Sequence, residues 1–583
     1  MSQTLTKPIL LDETGQAIAG KLDTNSAAII DALEDIKDAV SMGTDFVPVM
    51  IKVTTPPAKV SYMAGENLNL AGIVVSLIAS NGVQIDVTDQ CTFVPANGTV
   101  LTSADTSVSI SYYWYKDDVT FTTNYPIGVK SLSSIAITTP PTQTEYITGE
   151  TLDLTGIIVT ATYDDGTFLD VTQNCTFSPA NGATLSMNNT TIVATYTEGG
   201  VSKTATTPIT VVVPIYGAEW DGTASSAWVR TDLAADFDDP NPYYASMTGS
   251  PTSPFDTIQP WAGMTKITDS GAGELVAIPK FYYKLTQTGN SIKIQIVPSQ
   301  YSAWALENGY HISPAHMDRN DGNGERDTVY IGRYFCAGTN YKSETNNLPN
   351  RNSNLTTFRT EIHTIDSDIW QMDFAMLFTI WLLYIVELAD WNSQNKIGYG
   401  CSTNGSLMVM GYTDSMPYHT GTIANTRTTF GGTQYRYIEG LWDNVSNWID
   451  GCYYNNQKYL CIILNPNNFS NADNRSDGIA TGVVTGTTQE PCPTQFTVNE
   501  TVGAFPLFVP TASRSELNMG DYADEYSCDY WKSVVRTNLI SFKTYYKAKN
   551  QGSFGCGLFS MNYKSYDVAS SDVGARLMKL PNS

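Results

Sequence analysis

One stretch of this chain repeats itself at a fixed interval, and that constrains its fold more than any other feature. Pro56-Pro57 returns as Pro140-Pro141, Gly65-Glu66 as Gly149-Glu150, and Leu68, Leu70 and Gly72 as Leu152, Leu154 and Gly156. Val87-Thr88 returns as Val171-Thr172, and the block Cys91-Thr92-Phe93-Val94-Pro95-Ala96-Asn97-Gly98 as Cys175-Thr176-Phe177-Ser178-Pro179-Ala180-Asn181-Gly182, all at an offset of 84 residues. A period of this length denotes two homologous units in tandem. Within each, short alternating runs such as Ile157 to Tyr163 are bounded by turn signals such as Asp164-Asp165-Gly166 and Asn181-Gly182. That pattern predicts an antiparallel β-sandwich of about 80 residues per unit.

Each unit has one cysteine at the same place, Cys91 and Cys175, so there is no pair within a unit for an inter-sheet disulfide, and both read as core residues. The signature Tyr-x-x-Gly-Glu-x-Leu-x-Leu-x-Gly, here Tyr62 to Gly72 and Tyr146 to Gly156, resembles that of bacterial immunoglobulin-like domains. The resemblance covers about residues 49 to 213 and implies spacers of surface and phage tail proteins, with no binding site of their own.

At 583 residues the chain exceeds one core, and roughly 100 to 200 residues per domain predicts about three or four units. Four segments are expected: 1–47 for attachment and oligomerisation, sandwiches at 48–130 and 131–213, and a head at 214–583. In the first, Leu22, Ile29, Leu33, Ile36 and Val40 trace the seam of a short coiled coil, interrupted by Ser26. About three heptads are too few to stand alone, so a homotrimer or docking on a partner is expected. The first residues, Met-Ser-Gln-Thr-Leu-Thr-Lys-Pro, lack the pattern of a secretory signal.

A net charge of −24 disfavours nucleic acid and anionic membrane surfaces as partners. The run Phe374 to Ala389 is too short to span a bilayer and contains Glu387, so no membrane insertion is expected and it reads as a buried core helix. Nine cysteines without Cys-x-x-Cys, and only four histidines, exclude the common zinc patterns and predict free, buried thiols. The 34 tyrosines, among abundant small polar residues, suit β-structure and adaptable recognition surfaces.

Three segments inform on the head. Ile369 to Ala389 predicts a helix covered on most sides. Ile438-Glu439-Gly440-Leu441-Trp442-Asp443-Asn444-Val445-Ser446-Asn447-Trp448-Ile449-Asp450-Gly451 places two tryptophans among Asp, Asn and Gly. Gly555-Cys556-Gly557-Leu558-Phe559 is followed, after a polar and aromatic loop, by Asp572-Val573-Gly574-Ala575-Arg576-Leu577. In this order the segments resemble the C-type-lectin-like domains related to formylglycine-generating enzymes, above all the variable proteins of diversity-generating retroelements at phage tail tips. The resemblance covers about residues 300 to 583.

It implies a scaffold of Trp442, Trp448, Gly557, Gly574 and Arg576. It also implies a diversified receptor-binding surface between about Asp521 and Tyr566: Tyr522, Tyr526, Asp529, Tyr530, Trp531, Lys532, Tyr545, Tyr546, Lys547, Lys549, Asn550, Asn562, Tyr563, Lys564 and Tyr566. Clustered aromatics with short polar neighbours are also the chemistry of paratopes, although the same residues serve equally well as core.

Other chemistries find less support. The loop Asp318 to Glu325 has oxygen ligands at alternate positions, but the twelfth residue is Val329 where a calcium loop needs a bidentate Glu, so a polar turn is expected. Trp442-Asp443-Asn444 reverses the calcium motif of sugar-binding lectins. Cys528 and Cys556 sit in no recognisable oxidase motif, and no nucleophile elbow, metalloprotease helix or phosphate loop occurs.

The expected fold is therefore multidomain: an N-terminal coiled-coil helix, two all-β immunoglobulin-like sandwiches and an α+β C-type-lectin-like head. The expected function is that of a non-enzymatic phage tail-fibre or tail-tip protein of the virion, which needs no cofactor and no metal. Its partners would be a host-cell surface receptor, protein or glycan, and tail or baseplate proteins docked at its N-terminus. A polysaccharide-degrading tail spike and a cellular surface adhesin are the alternatives.

Overall fold

The computed structural model describes residues 46–582, except 224–227, 401–406, 455–458, 471–478, 485–492, 500–504, 514–539, 545–556 and 560. The expected coiled coil lies outside the described residues. The chain divides into two units, with the boundary between Val212 and Val213.

Unit 1 contains two immunoglobulin-like sandwiches of the same topology. In the first, Pro48–Thr55, Val74–Ala79 and Gln84–Asp86 form one sheet and Thr92–Val94, Ser107–Trp114 and Val119–Pro126 the other, while Ser61–Met63 pairs in parallel with Gly128–Lys130. In the second, Leu132–Thr139, Ile158–Tyr163 and Phe168–Asp170 face Thr176–Ser178, Thr191–Glu198 and Val201–Pro208, and Glu145–Ile147 pairs with Thr210–Val212. Alternation along Ser107–Trp114 buries Val108, Ile110, Tyr112 and Trp114, the inward positions of a pleated strand.

The repeated signature is the closure of each sandwich. Tyr62 Oη donates to the carbonyl of Asn69 (2.9 Å) and Tyr146 Oη to that of Asp153 (3.1 Å), each clamping the signature loop across seven residues. Glu66 accepts from the Met63 amide and Glu150 from that of Ile147. Asn97 and Asn181 accept from the amides of Leu70 and Leu154. Gly65 and Gly149 are needed because their φ angles are +95° and +98°. Cys91 and Cys175 are free and half-buried, packed at the edge of the cores rather than within them, and burial pushes the Cys91 thiol up to about 11.

The 84-residue register fails at one place. Ser107–Trp114 and Thr191–Glu198 keep it, but Val119–Pro126 and Val201–Pro208 are 82 apart, because the four-residue loop Tyr115 to Asp118 is replaced by Gly199-Gly200. Both glycines have positive φ, 57° and 78°, as a tight two-residue hairpin requires. The turn packs on the first sandwich: a Cβ on Gly199 would lie 2.0 Å from the Ala64 carbonyl oxygen. The shorter hairpin thus makes room for the joint. Lys130, the last residue of the first sandwich's strand pair, places its ammonium 4.1 Å from the centre of the Tyr163 ring in the second.

Unit 2 mixes β-sheet with a few helices: α1 (Ser302–Glu307), α2 (Leu355–His363), α3 (Phe374–Leu388) and α4 (Ser393–Lys396). Every residue of α3 is buried. The helix starts later than its apolarity suggests, since Ile369–Gln371 is a strand paired with Leu577–Lys579, and Asp373 Oδ1 caps the helix by accepting from the Met376 amide (2.9 Å). It packs on the strands Tyr216–Trp220 and Ser291–Pro298 of a five-stranded sheet. A second sheet joins Gly273–Pro279, Thr328–Gly332, Leu577–Lys579 and Ile369–Gln371, so the last strand of the chain is interior to it.

Most aromatic side chains described in unit 2 are core. Trp220, Trp261, Trp381, Trp391, Trp442 and Trp448 are fully buried, and the indole nitrogens of Trp261 and Trp381 donate to the carbonyls of Leu383 and Leu558, 3.0 Å each. No helix among the described residues is long and apolar enough to cross a membrane.

Candidate functional site: the C-terminal scaffold and the sheet it carries

The charge within α3 is matched by a buried partner. Glu387 accepts from Arg436 Nη2 (2.6 Å) and Nε (2.7 Å), from Ser253 Oγ (2.8 Å) and from Tyr435 Oη (3.0 Å). Arg436 also reaches Asp256, whose carboxyl accepts from Tyr418 Oη (2.6 Å) and lies 2.8 Å from His419 Nε2. Burial raises the Asp256 carboxyl, but the bonds from His419 and Tyr418 outweigh it and leave the carboxyl below its ordinary value. Arg436 and Tyr437 form the turn between Thr433–Tyr435 and Ile438–Glu439, with φ of 42° and 70°. A two-residue turn of this kind favours Asn-Gly, and a left-handed residue with a side chain costs about 1–2 kcal/mol. The Glu387–Arg436 ion pair holds this turn against α3.

Within that motif the polar side chains face inward. Glu439 accepts from the amides of Gly411 (2.9 Å) and Thr413 (2.8 Å) and from Thr413 Oγ1 (2.7 Å). Burial pushes its carboxyl up to about 7 in spite of those bonds. Asp443 accepts from the Thr433 amide (2.6 Å), from Thr433 Oγ1 (2.8 Å) and from Tyr412 Oη, and burial pushes it up to about 6. Asn444 exchanges bonds with the Met408 backbone at 3.0 and 2.9 Å. Asp450 holds Arg359 of α2 at 2.5 and 2.8 Å. The Asp443 and Asn444 side chains that superficially suggested calcium are therefore occupied by protein donors and acceptors.

Arg576 ties this motif to the end of the chain. Its side chain is fully buried, and it donates to the carbonyls of Gly332 (2.7 Å), Arg333 (2.8 Å), Gly440 (3.4 Å) and Glu439. Its guanidinium lies 4.7 Å from the centre of the Phe335 ring, and burial lowers its pKa to about 10. Gly574 lies where a Cβ would sit 2.8 Å from the Asn350 carbonyl oxygen and 2.9 Å from Val445 Cγ2. Val573–Gly574 pairs in parallel with Ser446 and Asn447. Trp442 Nε1 donates to Gly398 O (3.0 Å), Trp448 Nε1 to Ser353 O (3.4 Å), and Gly557 is buried beside Leu558. All five residues assigned to the scaffold are buried.

The same knot carries a four-stranded sheet, ordered Met561–Ser565, Ile540–Thr544, Ser446–Ile449 and Val573–Gly574. Asn562, Tyr563 and Lys564 lie on its edge strand, opposite Lys543, Phe542 and Ser541. Tyr566, just beyond, is half-buried against two hydrophobic clusters, and its carbonyl accepts from the Leu355 amide (3.1 Å), so its ring is a packing element. Tyr522, Tyr526, Asp529, Tyr530, Trp531, Lys532, Tyr545, Tyr546, Lys547, Lys549 and Asn550 lie outside the described residues, as do Cys528 and Cys556. The described strands flank the later of these residues: Ile540–Thr544 ends at the residue before Tyr545, and Met561 begins the strand paired with it.

The loop Asp318 to Glu325 is a latch. Asp318 and Asp321 accept from the amides of Asn320 and Asn323, two residues on in each case, Asp321 pairs with Arg326 (2.5 Å), and Arg319 runs inward to Asp373. Among the described residues no group of three or more His, Cys, Asp or Glu side chains could hold a metal ion.

No protein-family model matches the chain, and no curated protein matches it. Among solved structures it is similar to the N-terminal four immunoglobulin domains of Dscam1 isoform 9.44, at 12% identity and a TM-score of 0.12, covering 28% of this chain and 47% of that one. It is also similar to the titin I-band fragment I67–I69, at 8% identity and a TM-score of 0.15, covering 43% of this chain and 89% of that one. This chain thus spans about half the length of the Dscam1 fragment.

Proposed function

We propose that this chain is a non-enzymatic phage tail-tip protein that binds a host-cell surface receptor through a C-type-lectin-like head, with two immunoglobulin-like sandwiches as spacer. One observation carries the reading: the Trp442 motif and the Gly574-x-Arg576 ending, distant in sequence, meet in a single buried hydrogen-bond knot. The bonds by which Arg576 closes this frame go to the carbonyls of Gly332, Arg333, Glu439 and Gly440, none of which lies between Asp521 and Tyr566. Such a frame tolerates sequence change in the segment it holds, as a diversified binding surface requires. The short glycine joint and the Lys130 contact between the sandwiches suit a spacer that transmits position. An N-terminal homotrimer docked on tail or baseplate proteins would multiply weak contacts, because linked copies bind at an effective concentration set by geometry.

The test separates binding from cleavage. Purified full-length chain is incubated with host cells and with isolated host surface polysaccharide, and both bound protein and newly formed reducing ends are measured. Saturable binding with no new reducing ends is the expected result. Release of reducing ends would establish the degrading spike instead, and absence of binding to any cell that the phage adsorbs to would remove the proposal.

A further inference from the structure

The two sandwiches differ in chemistry at one end. In the second, the chain enters this end at Lys130-Ser131, and the end is polar: Ser131 donates to Asp164 through its amide (2.9 Å) and its hydroxyl (2.5 Å), and Tyr163 Oη donates to Glu198 (2.7 Å). It is also covered by the first sandwich, whose Met63 packs on the second core and whose Ala64 meets Gly199. The 84-residue register places Phe46, Val47 and Trp114 of the first sandwich where the second has Lys130, Ser131 and Glu198. The backbone is the same, since the Ser80 amide donates to the Val47 carbonyl (2.8 Å) as the Asp164 amide does to that of Ser131 (3.1 Å). An end that is polar in one sandwich is therefore apolar in the other.

The apolar side chains form one cluster. The Phe46 ring centre lies 6.0 Å from that of Trp114, which lies 5.9 Å from that of Tyr115, and the Lys116 ammonium stands 5.2 Å from the Trp114 ring centre. Val119 is the strand partner of Trp114 across the hairpin. Trp114 is buried, but Val47, Tyr115 and Val119 are 58%, 51% and 39% exposed. Apolar residues exposed singly need no explanation, whereas a cluster at the end that the sister domain uses as a joint marks a contact.

What covers this end follows from the chain that leads to it. Val40, the last residue of the coiled-coil seam expected from sequence, precedes Phe46 by six residues. Six residues reach at most about 22 Å when extended, so in the proposed homotrimer the three first sandwiches begin beside one axis, with their apolar ends gathered around it. Contacts between identical subunits are more apolar than the rest of a protein surface, which suits Val47, Tyr115 and Val119 and not the polar joint of the second sandwich. The hairpin also carries both signs of charge, Lys116 beside Asp117, so that neighbouring copies can match them. We infer that the apolar end of the first sandwich, at Val47, Tyr115 and Val119, packs against the same end of a second copy of this chain. This contact rests on the homotrimer proposed above and adds to it an interface on the folded stalk.

Full-length chains carrying Tyr115→Cys, or Phe168→Cys at an exposed position of the second sandwich, are oxidised under mild conditions beside wild type, and disulfides between chains are mapped by mass spectrometry. A bond joining the substituted position of two chains is expected for Tyr115→Cys and none for Phe168→Cys. In sedimentation equilibrium, Val47→Glu and Tyr115→Glu, both at exposed positions, are expected to raise the concentration at which the trimer dissociates tenfold or more, with an unchanged circular-dichroism spectrum. Trimers in which Tyr115→Cys does not join chains, or in which both glutamate variants keep wild-type affinity, would overturn this contact and leave the coiled coil standing. A monomeric wild type would remove the homotrimer and this contact together. A chain made monomeric by Leu33→Asp whose Tyr115→Cys thiol stays shielded from maleimide would also overturn it, because the chain's own first 45 residues would then cover this end.

Discussion

Replacing Arg576 by Met keeps a long buried side chain but removes every donor from the knot. Four carbonyls then lose a charge-assisted bond: those of Gly332, Arg333, Glu439 and Gly440. A buried polar group left unmatched costs about 1–3 kcal/mol, and some of the four regain partners by small shifts. Removing the buried cation also relieves its desolvation, but it takes away a positive charge that acts on the Asp443 carboxyl. The net expectation is a loss of about 3 kcal/mol from unit 2, from substitution of one residue near the end of the chain. Ten of the eleven tryptophans follow Val213, so tryptophan fluorescence during urea unfolding of the full chain reports this unit selectively. Arg576→Lys is expected to lose nearly as much, because one ammonium cannot span carbonyls on both sides of the knot. A change within about 1 kcal/mol of wild type for Arg576→Met would refute the scaffold assignment.

Three further outcomes are expected. Glu387→Gln leaves Arg436 buried with half its carboxylate partnership, and unit 2 should lose about 3 kcal/mol in the same urea titration. His316 is fully buried, within hydrogen-bond distance of Ser313 Oγ and the Ile278 carbonyl, and burial lowers its pKa from about 6.5 to about 4. Its neutral form stabilises the fold above pH 6.5, and that contribution is lost as pH falls towards 4. The wild type should thus lose about 3 kcal/mol more than His316→Gln across this window in parallel melts, and equal losses would contradict it. Tyr62→Phe and Tyr146→Phe should each cost about 1–2 kcal/mol and lower the melting of unit 1 by similar amounts, because both hydroxyls make the same clamp.

Much of the architecture was legible because it repeats or alternates. The 84-residue register located two sandwiches, and the residues it aligned, Tyr62 with Tyr146 and Asn97 with Asn181, are those making equivalent hydrogen bonds. The break at Gly199-Gly200 was not legible, since its cause is the neighbouring turn at Ala64, a contact between sandwiches. Apolarity predicted one buried helix over Ile369 to Ala389; the helix begins only at Phe374, and Asp373, a good helix cap, marks where strand gives way to α3. Glu387 read as an interruption in an apolar run, although a buried carboxylate is itself a signal that an arginine must arrive. The left-handed turn at Arg436-Tyr437 runs against local preference and becomes intelligible only with that ion pair in view. For the C-terminal segment, the scaffold residues carried a pattern and are found buried, while Tyr566, placed among the contact residues by the position the resemblance implies, is half-buried against the core. Aromatic abundance alone could not separate those roles, because tyrosine and tryptophan serve cores and recognition surfaces by the same physics.

The central claim is that the side chains between Asp521 and Tyr566 grip the host while the buried knot holds them in place. Its most direct test is adsorption of purified full-length protein to host cells, comparing wild type with a chain carrying Tyr522→Ser, Tyr526→Ser, Tyr530→Ser and Trp531→Ser. A tenfold or greater loss of cell binding, with the melting of both units unchanged, is predicted; undiminished adsorption by the substituted chain would contradict the account.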